Sequence, residues 1–188
     1  PEKFAVILFI HGYLWIKMTG IVKWAFVFIL IMPFFYSSGK GNSREKIIMN
    51  TEWGDIRVML NLRRAPVTAS NFIRYAKEGL LDSTCFYRVV NMDNQPQNKV
   101  KIEVIQGGRY EKEENGFPPI VHETTVMTGI RHRNGTISMA RNEPGTATSE
   151  FFICIGKQPE LDYGGKRNPD GQGFAAFGKV TRGMKVVR

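Results

Sequence analysis

Few side chains in this chain are arranged for metal, nucleophilic or phosphate chemistry. The three histidines, His11, His122 and His132, form no i, i+4 pair and have no Cys-x-x-Cys neighbour, so they predict no metal site. No nucleophile elbow supports a Ser-His-Asp triad, and the glycine-rich segments lack the Gly-Lys-Ser/Thr end of a phosphate-binding loop. Asp93 and Asp170 do not recur at the spacing of a calcium loop. We therefore expect no metal and no other cofactor.

Several short runs remain in which aromatic and apolar residues accompany one or two polar ones. They are FYRVV (86–90), IQGG (105–108), GTISMAR (135–141), SEFFIC (149–154), and LD (161–162) followed by FGKV (177–180). In this order and at this approximate spacing they resemble the cyclophilins, which are peptidyl-prolyl cis–trans isomerases, over residues 46–188. The similarity is to bacterial, exported members. It implies a mostly β fold, a closed antiparallel eight-stranded barrel capped by helices, with the active site on an outer face.

The resemblance also implies a set of site residues, position by position. Arg88 corresponds to the family's catalytic arginine, and Gln106 to the glutamine that helps to hold this arginine and the substrate. The other positions bind substrate: the proline pocket at Val104, Phe152, Leu161 and Phe174, backbone pairing with the peptide at Ala140 and Arg141, and departures from the family's usual residues at Tyr87 and Glu150.

An arginine beside an apolar pocket suits prolyl isomerisation, which breaks no bond. Resonance sets a barrier of ~18–20 kcal/mol to rotation about the X–Pro amide. In the twisted transition state the proline nitrogen regains a lone pair, and a guanidinium aimed at it stabilises that state more than either planar form. No proton transfer is needed, so the lack of a poised histidine or carboxylate is no objection.

Two other functions stay open at this point. Glu103, Glu150 and Glu160 stand where the family usually has phenylalanine, glutamine and tryptophan, which favours a catalytically weak module or chaperone that binds proline-containing segments. The formal charge of +9 allows nucleic-acid or anionic-lipid binding, but the basic residues are scattered and form no stripe with stacking aromatics. We expect proline-containing polypeptides as substrates, no nucleic-acid partner, and a monomer.

Hydrophobic patterns predict many short strands and few helices. A helix is predicted at 65–79, with Pro66 in its first turn and Gly79 as its carboxyl-terminal cap. Gly54 and Asp55 suit a hairpin turn. Strands are predicted at 46–51, 56–60, 84–90, 100–105, 136–140, 150–155 and 175–180, and a glycine-rich loop at 164–173.

The two ends of the chain differ from its middle. Residues 1–43 are expected to form a signal peptide or an uncleaved amino-terminal anchor plus a linker, because Lys23 precedes a 13-residue apolar run (24–36) and small residues follow. The isomerase domain would then span 44–188 and assist the folding of exported proteins, as a periplasmic, secreted or membrane-anchored domain. After residue 188 the family has a further helix and strand, so we expect the domain to be truncated there.

Cysteine usage predicts no disulfide scaffold. Cys85 and Cys154 both lie in apolar, strand-like runs, so we expect two buried free thiols.

Overall fold

The computed structural model describes residues 7–10, 13–16, 43–109 and 115–188, which fall into two units. The first unit contains β1 (Ile7–Ile10) and β2 (Tyr13–Ile16), an antiparallel pair. The apolar run on which the predicted leader rests lies outside the described residues. Within the described ranges, no helix combines the length and apolar character needed to cross a membrane.

The second unit is built on one antiparallel sheet with short helices. Its seven strands run in the order β3-β4-β9-β7-β8-β6-β5. The elements are β3 (Glu45–Thr51), β4 (Gly54–Leu60), α1 (Pro66–Lys77), β5 (Cys85–Val90), β6 (Val104–Gly108), α2 (Thr125–Thr128), β7 (Thr136–Met139), β8 (Phe151–Cys154), a 3₁₀ turn (Pro159–Leu161), β9 (Ala175–Arg182) and α3 (Met184–Val187).

The sheet curls but is not confirmed as a closed barrel of eight strands. β3 and β5 stand at the two ends of the strand order, and each pairs on one side only within the part of the chain that the structure describes. The mostly β fold with few helices agrees with the expectation. Closure by an eighth strand stays a prediction.

All seven predicted strands are present, but two local predictions were wrong. The strand predicted at 100–105 corresponds to β6, which begins only at Val104. The backbone of Ile102 is hydrogen-bonded to the buried Gln95 side chain instead of to a neighbouring strand. The Gln95 amide donates to Ile102 O (2.8 Å) and accepts from Ile102 N (3.3 Å). The hairpin turn was predicted at Gly54 and Asp55, but it lies at Glu52 and Trp53. Thr51 pairs with Gly54, which is the first residue of β4.

The main core lies between α1 and the sheet. Ile56, Val58 and Leu60 alternate along β4 and are buried together, as predicted. Phe72 of α1 packs its ring 5.2 Å from that of Phe151 and 5.3 Å from that of Phe177. Aromatic contacts of this size add to the area that the rings bury, so they fix the helix on the sheet.

Helix α1 begins and ends by different means. Its N-cap residue, Ala65, makes no side-chain cap, and the Glu123 carboxylate instead accepts hydrogen bonds from Val67 N (3.2 Å) and Thr68 N (2.7 Å). This carboxylate therefore satisfies amides that a helix leaves unpaired. At the other end Gly79 adopts a left-handed conformation (φ 66°), as the predicted cap requires.

The two cysteines differ in exposure. Both are free, and Cys154 is buried in β8 as predicted. Cys85 is exposed, so the prediction of two buried thiols was wrong for it. It lies at the start of β5, an outer strand of the sheet, where an apolar sequence run does not guarantee a covered face.

Candidate active site

Two adjacent strands, β6 and β8, separate the main core from a second apolar cluster. Along β8, Phe151 and Ile153 belong to the main core, whereas Phe152 and Cys154 belong to the second cluster. Strand β6 repeats this alternation and pairs with β8 in register, so that Gln106 lies opposite Phe152. The second cluster consists of Val90, Ile102, Val104, Phe152, Cys154 and Leu161, with Ala140 and Phe174 packed against it.

A cleft of about 1020 Å³ opens over this second cluster. Every residue that the sequence assigned to the site lines it: Tyr87, Arg88, Val104, Gln106, Ala140, Arg141, Glu150, Phe152, Leu161 and Phe174. The structure therefore brings the whole predicted set together. The role of each residue stays a prediction.

A β-bulge explains how two consecutive residues of β5 reach the same cleft. In a regular strand Tyr87 and Arg88 would point to opposite faces. Phe86 pairs with Gly107 and Arg88 with Gln106, so Tyr87 is an extra residue in the ladder. A bulge of this kind redirects side chains, and here both Tyr87 and Arg88 line the cleft.

Hydrogen bonds join four polar side chains in a chain across the cleft. Arg88 Nη1 donates to Gln106 Oε1 (3.2 Å), and Gln106 Nε2 donates to Tyr87 Oη (2.6 Å). The Tyr87 hydroxyl donates to the Glu150 carboxylate. The amide of Gln106 thus holds the guanidinium on one side and the phenol on the other, while Arg88 itself stays exposed.

Tyr87 is held as a neutral hydrogen-bond donor. Burial raises the pKa of the Tyr87 phenol far above its usual value, and the hydrogen bond to Glu150 and the charge of that carboxylate raise it further. Ionisation of Tyr87 would place a phenolate beside the Glu150 carboxylate in a partly desolvated environment, which is unfavourable. The chain of hydrogen bonds therefore positions Arg88 without offering a proton near neutral pH.

Aromatic rings form one wall of the apolar part of the cleft, the part over the second cluster, which we call the apolar pocket. The ring of Phe152 meets that of Phe174 edge to face at 5.2 Å. On another side the His132 ring stacks on Phe152 at 5.9 Å, with 19° between the ring planes. His132 Nδ1 lies 2.8 Å from Asp162 Oδ1, and Nε2 lies 2.9 Å from Ser138 Oγ. These buried polar contacts fix the ring against which Phe152 packs.

Burial alone would raise the pKa of Asp162, but hydrogen bonds from the His132 ring and backbone N–H outweigh it and hold that pKa below its usual range.

The Ser138–His132–Asp162 set has the hydrogen bonds of a catalytic triad. However, Ser138 is 0 % exposed and His132 2 %, so no substrate atom reaches the serine hydroxyl. The set supports the pocket and offers no nucleophile.

Arg141 has a structural function that the sequence did not reveal. Its buried guanidinium forms a bidentate pair with Asp170, with Nη1–Oδ2 at 2.8 Å and Nη2–Oδ1 at 3.0 Å, and its Nε donates to Gly173 O (2.9 Å). These contacts fix the loop before Phe174 to the segment that follows β7.

The Ala140 N–H donates to Glu150 O (2.8 Å), so a peptide that pairs with the backbone of Ala140 has to use the Ala140 carbonyl oxygen.

Comparison with known proteins agrees with this geometry. Residues 46–188 match the family described as cyclophilin type peptidyl-prolyl cis-trans isomerase/CLD. The chain belongs to the cyclophilin family. Peptidyl-prolyl cis-trans isomerase A of Dickeya dadantii is 32% identical, with 87% of this chain and 80% of that protein covered. Peptidyl-prolyl cis-trans isomerase B of Escherichia coli is 33% identical, with 75% and 80% covered.

A solved structure supports the fold. The Cryptosporidium parvum cyclophilin type peptidyl-prolyl cis-trans isomerase superposes with a TM-score of 0.59 at 22% identity, over 76% of this chain and 80% of that one. The family match and the bacterial relatives show that the present chain is an enzyme of the peptidyl-prolyl isomerase class.

Some residues of this cyclophilin's cleft were missed by sequence reasoning. Ile102, 7 % exposed, lines the cleft two residues before Val104, and the alternation of the strand predicted at 100–105 could have revealed it. Glu103 stays outside the lining, and its carbonyl accepts from Ile155 N (2.9 Å). Arg109 and Arg167 also line the cleft, and no sequence signal places them there. No cluster of three or more metal-ligating side chains occurs among the residues described.

Proposed function

We propose that this cyclophilin binds proline-containing polypeptides in the cleft and that Arg88 is its catalytic residue. One observation carries the proposal: the exposed guanidinium of Arg88 shares one cleft with the apolar Phe152 pocket and is fixed by Gln106. In this proposal the pocket grips the pyrrolidine ring while the guanidinium faces the proline nitrogen. The guanidinium then stabilises the twisted amide of the transition state more than it stabilises either planar isomer.

The glutamates that favoured a binding module each have a hydrogen-bonded partner or lie outside the cleft. Glu150 accepts from Tyr87, Glu160 Oε2 accepts from Lys166 N (2.8 Å), and Glu103 does not line the cleft. Neither Glu103 nor Glu160 lines the cleft, and Glu150 lines it bonded to Tyr87, outside the second apolar cluster. These contacts leave the apolar pocket unobstructed, so the glutamates no longer favour a catalytically weak module over an isomerase.

Exchange spectroscopy on a short Ala-Pro peptide tests the proposal. The full chain should accelerate interconversion of the cis and trans isomers, which without catalysis takes roughly 10–100 s. Saturable binding of the peptide with unchanged interconversion would instead establish the proline-binding module. Arg88→Ala should lose this acceleration, and Arg63→Ala, which changes an exposed arginine outside the cleft, controls for general loss of positive charge.

The cellular role proposed is assistance to the folding of exported proteins. Residues 1–43 would act as a leader or retained anchor, and 44–188 as a monomeric isomerase domain in the periplasm or outside the cell. Support comes from the order of Lys23, the apolar run and the small residues that follow it. Cell fractionation with mass measurement of the mature protein tests this proposal, and full-length protein in the cytosol would contradict it.

The eight-stranded closure of the sheet is also a proposal. An eighth strand would lie between β3 and β5, whose outer edges would otherwise present unpaired backbone groups. Hydrogen exchange tests it in a chain extended after residue 188 by the family's further helix and strand: amides on the outer edge of β5 should then be as protected as those of β6. Fast exchange along that edge would contradict closure.

A further inference from the structure

The glycine-rich loop at 164–173 is fixed against the cleft. Gly164 N donates to Gly171 O (2.7 Å), which closes the loop on itself, and Arg167 N donates to Glu160 O (3.2 Å). The bidentate pair between Arg141 and Asp170 ties its far end to the cleft wall. As a result the side chain of Arg167 lines the cleft.

Arg167 and Arg88 place two positive charges in this cleft. Arg167 Nη1 donates to Val100 O (2.6 Å), which holds the half-buried guanidinium in place. Burial lowers the pKa of Arg167, and the positive charge of Arg88 lowers it further, so the two groups interact. Within 43–109 and 115–188 neither arginine forms an ion pair.

The remaining charges of the cleft do not compensate these two. Among the described residues that line it are Arg88, Arg109, Arg141 and Arg167, against Glu150 as the one carboxylate. Asp170 pairs with Arg141, and the single charge of Glu150, which accepts a hydrogen bond from the neutral Tyr87, can offset only one of the two charges of Arg88 and Arg167. Like charges that share a cleft repel each other, and an anion placed near both would be favoured over a neutral group.

We infer that the cleft selects prolines that have an anionic side chain, carboxylate or phosphoryl, on a neighbouring residue, and that Arg167 binds this anion in the positive field that it shares with Arg88. The inference rests on the proposed function for the location of the proline. Its physical basis is a charge-assisted hydrogen bond from a guanidinium that is already held in place, so little side-chain entropy is lost on binding. Because the cleft is open to solvent, added salt should weaken the selection.

Matched peptides test the inference. One pair carries Glu or Gln immediately before proline, a second pair carries Glu or Gln immediately after it, and two further pairs carry phosphoserine or serine at these positions. Dissociation constants are measured by fluorescence anisotropy and kcat/KM by exchange spectroscopy, with the full chain, Arg167→Gln and Lys166→Gln. Lys166 is the control because it is the adjacent, exposed basic residue of the same loop and does not line the cleft.

We expect the wild type to bind an acidic peptide of at least one pair about three- to tenfold more tightly than its neutral match at low salt. Arg167→Gln should bring this ratio close to one, and Lys166→Gln should retain it. A larger ratio for phosphoserine than for Glu would identify the phosphoryl group as the preferred anion.

Two results would overturn the inference: ratios near one for every anionic peptide, or a ratio that Arg167→Gln leaves unchanged. Failure of the proposed function is distinguishable, since it would show as no catalysis on the glutamine peptides, while the binding ratios still decide the anion selectivity.

Discussion

The polar and apolar halves of the cleft are built on different principles. In the polar half, Tyr87, Arg88, Gln106 and Glu150 are partly exposed and are joined by side-chain hydrogen bonds. In the apolar half, Phe152, Val104 and Leu161 are 0–4 % exposed and are backed by a buried polar layer at His132. Catalysis by a guanidinium needs an accessible group in a fixed orientation, whereas ring binding needs a rigid wall. Changes in the apolar half should therefore cost stability as well as binding, and changes in the polar half mainly activity.

The largest expected effect on stability is that of Phe152→Ala. Removing this ring should lower the free energy of unfolding by about 3–5 kcal/mol and raise KM, because the pocket loses a wall that is also packed core. Urea unfolding and kcat/KM, measured where the variant is folded, test both effects.

Phe151→Ala is the matched control, since Phe151 is adjacent on β8 and packs in the main core. It should cost similar stability but leave KM unchanged. The same rise in KM in both variants would contradict the division of the cleft into two halves.

Arg141→Gln should have the next largest effect. It leaves Asp170 without its partner and frees the loop before Phe174, which we expect to cost about 1–3 kcal/mol of stability. KM should rise more than kcat falls, because the loop positions a pocket wall and touches no reacting atom. Arg141→Lys keeps the charge but not the bidentate geometry, so it should restore function only in part. An unchanged KM in Arg141→Gln would show that the loop does not support the pocket.

Tyr87→Phe should mainly affect activity. It removes the hydroxyl that links Gln106 to Glu150, a contribution of about 0.5–1.5 kcal/mol, and should lower kcat/KM severalfold by loosening the orientation of Arg88. Tyr163→Phe is the control, because Tyr163 is 47 % exposed and lies outside the cleft lining. Equal losses in the two variants would argue against a positioning role for Tyr87.

The smallest expected effect is a dependence of stability on acid pH. The pKa of Asp162 is lower in the folded protein than in the unfolded chain, so its carboxylate stabilises the fold above about pH 3.9, and this contribution is lost as pH falls through the folded pKa. Urea unfolding as a function of pH measures it. Asp162→Asn should lower the free energy of unfolding at neutral pH and make it depend less on acid pH. Asp82→Asn, which changes an exposed carboxylate, should show neither effect. Parallel pH profiles of wild type and Asp162→Asn would contradict this.

The apolar half was more predictable from the sequence than the polar half. Alternation along β4 indicated which of its residues share a face, and the motifs shared with the cyclophilins placed Phe152 and Val104 in a pocket. The polar half depends on a bulge at Tyr87, which reverses the alternation that a strand pattern assumes.

Long-range side-chain contacts explain most of the other differences. Gln95 sets the start of β6, and the pair of Arg141 and Asp170 spans 29 residues, so neither contact leaves a periodic signal in the sequence. Exposure of Cys85 follows from the position of β5 in the strand order, which local patterns do not determine.

The most direct test of the central claim is kcat/KM for prolyl isomerisation by Arg88→Ala and Arg88→Lys, beside the exposed control Arg63→Ala. Arg88 is exposed and its side chain hydrogen-bonds only Gln106 among the described residues, so its loss should hardly change the urea midpoint. Losing a preorganised transition-state donor should lower kcat/KM about 10²–10³-fold in Arg88→Ala, with partial activity in Arg88→Lys and none lost in Arg63→Ala. Near-full activity of a folded Arg88→Ala would contradict the account.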